Sequence, residues 1–311
     1  MSWKPFIVGV DGSPEAAWAA GLAAEAAQSA GTTCHLVHAT RDALSALAQA
    51  ELPERAQELG ESLIAAARER IAHSLWGVVA PELVQQMTIR AGRAAVVLRE
   101  VVAERGAGLI VLGGKHHSVL GRWLAGSTSV DVVRTAEVPV LVTGSGRAPP
   151  RRILATVDLS AAAQPTIEAA ERVAELFQSE LRVMSVLEPL PIVPEAPNYD
   201  LTHYYAMLED HLRQRVWPLV QSPQAEMVTR YGMPVETIIQ EAVAWPADLL
   251  VVGSHGKGWV DRLLIGSVTE RLLNHLPTAV LVVPVHTLVA ARELERTAAR
   301  TAEPSMAHLP A

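Results

Sequence analysis

Val251-Val252-Gly253-Ser254-His255-Gly256-Lys257-Gly258, followed by Trp259 to Ile265 and then Gly266-Ser267, is the stretch on which the fold turns. It joins a short apolar run, a glycine-rich turn, a nine-residue spacer and a second glycine that opens a helix, in the pattern G-x2-G-x9-G-S. Glycines let a backbone approach an anion closely and turn without a Cβ clash. Ser267 is placed to cap the helix that follows, whose free N–H groups favour negative charge. The segment therefore suits a bound phosphate chain.

Working outward, an altered copy of the same order lies upstream. Phe6 to Val10 is an apolar run ending in Asp11-Gly12-Ser13, and Ile153 to Val157 ends in Asp158-Leu159-Ser160. In the first copy Ser13 is an N-cap and Pro14 the first residue of an alanine-rich helix that Gly31 stops. Strands are expected at Thr33–Ala39, Met87–Arg90, Leu109–Leu112 and Val138–Thr143, and helices within 41–76, at Ala94–Arg105 and at Ser127–Ala136. Pro139 favours an edge position for its strand. The second copy repeats this with strands at Leu181–Leu187, Glu226–Arg230, Leu249–Val252 and Thr278–Val283, and helices at Pro165–Phe177, Leu201–Val220 and Val235–Ala244. From Gly92 and Gly232 onward the copies keep an offset of 140, whereas Asp11 and Asp158 differ by 147, so the first carries about seven extra residues in its middle.

The repeat is domain-sized, and each copy alternates strand and helix. This predicts an α/β fold of two tandem, doubly wound, parallel five-stranded sheets. Ligands on such sheets sit beyond the carboxyl ends of strands, where strand order reverses. Asp11, Asp158, Gly113 and Gly253 fall at such ends.

Composition narrows the classes. Half of the 311 residues are hydrophobic and 19% are charged, as expected for packed cores. The net charge of −7 argues against a nucleic-acid partner. A single cysteine, Cys34, excludes an internal disulfide. Apolar runs are far shorter than a membrane span of about 20 residues. No signal core is evident, so a cytoplasmic location away from membranes is expected.

A strand ending in Val-Asp, five strands alternating with helices, and G-x2-G-x9-G-[ST] before the last helix resemble the universal stress protein family. The duplication resembles its two-domain members. The resemblance covers roughly residues 3–145 and 150–285. It implies an adenine nucleotide alpha hydrolase-like, Rossmann-like fold, with domains at 1–145 and 152–285, a linker at 146–151 and a tail at 286–311. Family members that keep the motif bind ATP, and others lack it and do not. Carried onto this chain, the resemblance puts Asp158 by the ribose or adenine and the Val186 backbone on the adenine. It puts Gly253, Gly256, Gly266 and Ser267 around the phosphates, with an N–H from Val268. Lys257 lies outside the motif but offers a cation to phosphate. Ser267-Val268-Thr269-Glu270 also matches a capping box.

The first copy departs from the motif. Gly113 matches Gly253, and Gly126-Ser127 match Gly266-Ser267, but His116 stands where Gly256 does. Histidine is costly where positive φ is needed. Asp11, Ala39, Gly113, Gly126 and Ser127 thus form a weakened set, and nucleotide, with or without Mg²⁺, is expected chiefly in the second half.

Other constellations have plainer explanations. His116-His117 reads as a solvated loop pair, since no carboxylate or cysteine adjoins it, and no metal site is expected. His35 and His38, three apart on a strand, face opposite ways and read as packing residues. Cys34 reads as a buried small hydrophobe. His203-Tyr204-Tyr205 is expected to pack over the sheet edge. Neither a nucleophile elbow nor a Walker loop is present. ATP is therefore expected as a regulatory effector in a stress response, with a slow hydrolase and a nucleotide-free interaction module as alternatives. A homodimer or an intrachain pseudo-dimer through the last strands, Val138–Val142 beside Ala279–Val283, is expected, with an unknown protein partner.

Overall fold

The computed structural model describes residues 2–40, 53–117, 122–124, 127–144, 148–189, 201–255, 265–274 and 278–285. In the first half, β1 is Phe6–Gly9, α1 Pro14–Ser29, β2 Cys34–Thr40, α2 Pro53–Ser74, α3 Pro81–Gln85, β3 Thr88–Ala91, α4 Ala94–Arg105 and β4 Leu109–Gly113. Then follow β5 Lys115–His117, β6 Arg122–Leu124, α5 Ser127–Thr135 and β7 Val140–Thr143. The second half has β8 Arg152–Val157, α6 Ala163–Phe177, β9 Glu180–Leu187, α7 Leu201–Arg215, β10 Glu226–Tyr231, α8 Pro234–Ala244, β11 Leu249–Gly253, α9 Ser267–Leu273 and β12 Ala279–Val283.

Ten strands form one sheet in the order β10-β9-β8-β11-β12-β7-β4-β1-β2-β3. Within each half every pairing of this sheet is parallel, and registers match across the halves: Phe6 faces Cys34 as Ile153 faces Leu181. Among the described residues, the one antiparallel pair in this sheet joins the halves, with Val280 opposite Val142, Leu281 opposite Leu141 and Val282 opposite Val140. The chain thus pairs its own last strands. In each half, strand order reverses between the first strand and the fourth, β1 with β4 and β8 with β11. That reversal opens a crevice at the carboxyl ends.

Pro139 does not mark an edge. The strand begins at Val140, one residue later, and β7 lies inside the sheet between β4 and β12. The proline therefore removes no ladder donor, and its carbonyl accepts from the Ile110 amide at 2.9 Å. Helix 201–220 also proves shorter: α7 stops at Arg215 and Pro218 sits in a separate 3₁₀ turn, Trp217–Leu219. His116 and His117 lie in no simple loop, because β5 and β6 pair as a two-stranded antiparallel ribbon with His116 opposite Trp123. The expected tail and residues 41–52 fall outside the described residues.

Helix α1 starts as its sequence dictates. The Ala16 amide donates to the Ser13 hydroxyl at 3.2 Å, and Pro14 takes the first turn. Its buried face is almost all alanine, from Ala16 to Ala27. Small side chains let the helix axis lie close to the sheet. In α6 the buried positions Ala163, Thr166, Ile167, Ala170, Val173 and Ala174 follow the helical period. Trp3 bridges the halves, edge-on to Phe6 with ring centroids 5.5 Å apart and under the Arg172 guanidinium at 4.2 Å. At the far edge, Tyr205 stacks edge-on against Tyr231 of β10, at 4.9 Å. Cys34 packs against the core, and burial pushes its thiol up to about 12. That holds it protonated and unreactive. Among the described residues no helix is long and apolar enough to cross a membrane.

Candidate functional site

Both strand-one aspartates sit just past their strand and fold the chain in the same way. The Ser13 amide and hydroxyl donate to Asp11 Oδ1 at 3.0 and 2.5 Å, and the Ser160 amide donates to Asp158 Oδ1 at 2.9 Å. These are Asx turns, which orient a carboxylate beside the crevice. Asp158 and Gly253 end neighbouring strands, since Thr156 pairs with Val252.

In the second half the glycine segment is pinned at both ends. The Ser254 amide donates to the Val283 carbonyl at 2.8 Å, and the Gly266 amide donates back to the Ser254 carbonyl at 2.9 Å. Residues 254–266 therefore leave and rejoin the sheet at one point. The Val285 amide reaches the Ser254 hydroxyl at 3.2 Å, and Ser254 Oγ lies 3.0 Å from His255 Nδ1. Thr269 Oγ1 donates to the Gly253 carbonyl at 2.8 Å, tying α9 to the strand end. Ser267 does not cap. Gly266 is the N-cap with no side-chain bond, and Ser267 is the first helical residue and exposed. Helix α9 starts one residue earlier than a capping box requires, with Thr269 held down on Gly253. Val268 follows in the first turn, and Val186, one residue before the end of β9, pairs with Arg230. Gly256 and Lys257 lie outside the described residues, as does Gly126.

In the first half, Asp11, Ala39 and Gly113 come together around one cavity of about 810 Å³. This is ample for a small-molecule ligand. Ser127 opens α5, and its neighbours Thr128 and Ser129 line the same space. Residues 256–264 of the second half are not among those described. The two fourth-strand glycines differ in their surroundings. A Cβ on Gly113 would stand 2.5 Å from the Glu15 carbonyl carbon and 2.6 Å from the Ala16 amide nitrogen, both main chain. On Gly253 it would meet the Ala162 methyl at 3.0 Å and Thr166 Oγ1 at 3.2 Å.

Three cavity residues escaped the sequence. His38 lines the cavity although it reads as a packing residue, and its Nδ1 lies 2.7 Å from the Val10 carbonyl. His35, by contrast, is a packing residue, 2.8 Å from Thr88 Oγ1, and burial followed by the Arg105 charge lowers its pKa. Arg70 of α2 and Arg93 before α4 also face the cavity. A histidine within a strand is a weak signal, and the arginines are brought in by long-range packing that no local pattern announces.

Comparison with known proteins adds the following. The sequence profile of the Universal stress protein family matches twice, over residues 2–144 and 150–284. A universal stress protein of Thermus aquaticus is 28% identical over 134 residues, covering 43% of this chain and 98% of its own length. One from Mycobacterium tuberculosis is 28% identical over 300 residues, covering 89% of this chain and 95% of its own. A crystal structure from Pseudomonas aeruginosa superimposes with a TM-score of 0.60 at 21% identity, over 95% of this chain and 98% of that one.

Proposed function

The chain belongs to the universal stress protein family as a tandem member, and from that premise we propose that it binds ATP, chiefly in its second half, as a regulatory ligand in a stress response. One observation carries the assignment to that half. The complete G-x2-G-x9-G-S segment leaves and re-enters the sheet through the Gly266–Ser254 hydrogen bond, at the strand reversal and beside Asp158. Amides of a glycine-rich turn anchored at such a strand end suit a phosphate chain. Asp158 would accept from a ribose hydroxyl, the Val186 main chain would meet the adenine, and Lys257 would add a cation to the phosphates, whose charge Mg²⁺ would also offset. Regulation follows if the loop conformation that holds ATP is the one a protein partner recognises, since ATP shifts the balance only by binding one state more tightly. The cytoplasm is the compartment where ATP is available for such a role.

Titration calorimetry with Mg-ATP tests this. The unaltered chain is expected to bind, while Gly256→Val and Ser267→Glu weaken binding about ten-fold or more, equivalent to roughly 1.4 kcal/mol. Ser267 is exposed, and a carboxylate at a first helical position is compatible with folding. Loss of affinity in Ser267→Glu therefore reports repulsion of phosphate. Unchanged ATP affinity in both variants contradicts the assignment.

A further inference from the structure

The two outermost strands of the sheet, β3 and β10, hold the same place in the repeat but differ at their edges. β3 is four residues long. Met87, which leads into it, is 3% exposed, and the Arg68 guanidinium donates to the Val84, Gln85 and Met87 carbonyls at 3.4, 3.3 and 3.2 Å. β10 is six residues long and holds neither proline nor lysine. Met227, the counterpart of Met87, is 48% exposed, and Tyr231 is 51% exposed. Short strands and edge charges guard against edge-to-edge pairing, and β10 lacks them where β3 has its guard. The Gly232 amide donates to the Leu187 carbonyl at 3.1 Å, so even-numbered residues of β10 turn their main chain to β9. Met227, Thr229 and Tyr231 therefore turn theirs outward. Their side chains share the face that carries α7, where Tyr231 is held by the Tyr205 ring and by a hydroxyl bond to Glu209. The Thr229 carbonyl accepts from Arg230 Nη1 of the same strand at 3.2 Å, and that guanidinium keeps Glu241 when it lets go.

We propose that β10 pairs with β10 of a second copy of this chain, antiparallel about a two-fold axis at Thr229, so that the two sheets become one. The strand is complementary to itself in this register. Met227 lies opposite Tyr231 of the other copy, a thioether against a ring, and Thr229 lies opposite itself. Every outward main-chain group of the strand is then used, because residues facing one another in such a pair exchange both hydrogen bonds. Centring the axis on Val228 instead would set Tyr231 opposite Ala225, whose amide is already given to the Ser222 carbonyl at 3.2 Å. Charge does not oppose the seam, since Glu226 and Arg230 are paired with Arg182 and Glu241 at 2.6 and 2.7 Å. The chain already makes one seam of this kind within itself: β7 and β12 run antiparallel with Leu141 opposite Leu281, its own counterpart in the repeat. A two-fold contact closes on itself, and Arg68 guards the other edge, so assembly through these edges stops at two copies. The inference does not depend on any nucleotide.

Sedimentation equilibrium of the full chain tests this, with the mass of two chains as the expected result. Thr229→Lys sets two ammonium groups opposite each other on the axis, and Thr229→Glu sets two carboxylates there. Each is expected to raise the dissociation constant of the dimer about ten-fold or more. An equimolar mixture of the two variants is expected to recover the mass of two chains, because lysine then faces glutamate, and that recovery also shows both variants folded. Thr229→Pro removes an outward amide and no bond to β9, a place where an edge strand accepts proline, and is expected to dissociate the dimer with its thermal melt retained. A chain that sediments as a single copy overturns the inference and leaves this edge to a strand of a different protein. So does a dimer that survives all three substitutions, or a mixture of Thr229→Lys and Thr229→Glu that stays dissociated.

Discussion

Gly113→Ala is expected to destabilise the chain by about 3 kcal/mol, while Gly253→Ala at the matching position costs about 1 kcal/mol. The difference lies in what the new methyl meets. At Gly113 it would stand 2.5–2.7 Å from the main chain of Glu15 and Ala16, so α1 must shift bodily away from the sheet. That movement disturbs the alanine face through which α1 packs. At Gly253 the nearest atoms are the Ala162 methyl at 3.0 Å and the Thr166 hydroxyl at 3.2 Å. Thr166 Oγ1 has no hydrogen-bond partner among the described residues, so a rotamer change breaks no bond. Urea midpoints of the two variants check the prediction. Equal losses would mean that α1 yields as easily as a side chain, contrary to the geometry.

The second large effect is expected at Glu241. Its carboxylate, 8% exposed, binds Arg182 Nη1 at 2.5 Å and Arg230 Nε at 2.7 Å. Arg182, 14% exposed, is also held by Glu226 at 2.6 Å and lies over the Trp245 ring at 4.5 Å. Glu241→Ala strands this guanidinium and costs about 3 kcal/mol, the lower end for a broken buried pair, because Glu226 still serves it. The first half has Val101 and His35 at the equivalent positions. Glu241→Val with Arg182→His is therefore expected to recover part of the loss, a coupling that a double-mutant cycle measures. Acid offers an independent check. Burial pushes the Glu241 carboxyl up, but hydrogen bonds and charge from Arg230 and Arg182 outweigh it and hold the pKa below the usual carboxylate range. A lowered carboxylate contributes stability that is complete above its unfolded pKa of about 4.3 and is lost as pH falls through the folded value. The gap between the native chain and Glu241→Ala should thus be full near neutral pH and narrow below about pH 4. A gap that stays constant down to pH 2 (roughly two units under the unfolded pKa) would show that charge pairing is not the cause.

Where structure is local, the sequence announces it. Ala94–Arg105 is helical as expected, and Ser13-Pro14 starts α1. The duplication carries through to identical strand registers in the two halves. What escapes depends on partners remote in the chain. Pro139 signals an edge only if β7 has no neighbour, and β12 supplies one. Ser267 has a capping pattern, but the helix, tied down by the Thr269–Gly253 hydrogen bond, already begins at Ser267 with Gly266 as its N-cap. His38, Arg70 and Arg93 meet from three different elements. Arg182 and Glu241 lie 59 residues apart, and nothing in either segment names the other. The aspartates and glycines of the site were legible because a crevice at a strand reversal follows from topology. The charges that distinguish the halves follow from packing.

The central claim is that ATP sits in the second half, and photolabelling with 8-azido-ATP followed by peptide mapping tests it most directly. The label is expected on peptides holding Asp158 or the end of β9 at Val186, to be competed by ATP, and to disappear in Ser267→Glu. Label confined to peptides of the first half, such as the one spanning Cys34–Thr40, and unchanged in Ser267→Glu, would contradict it.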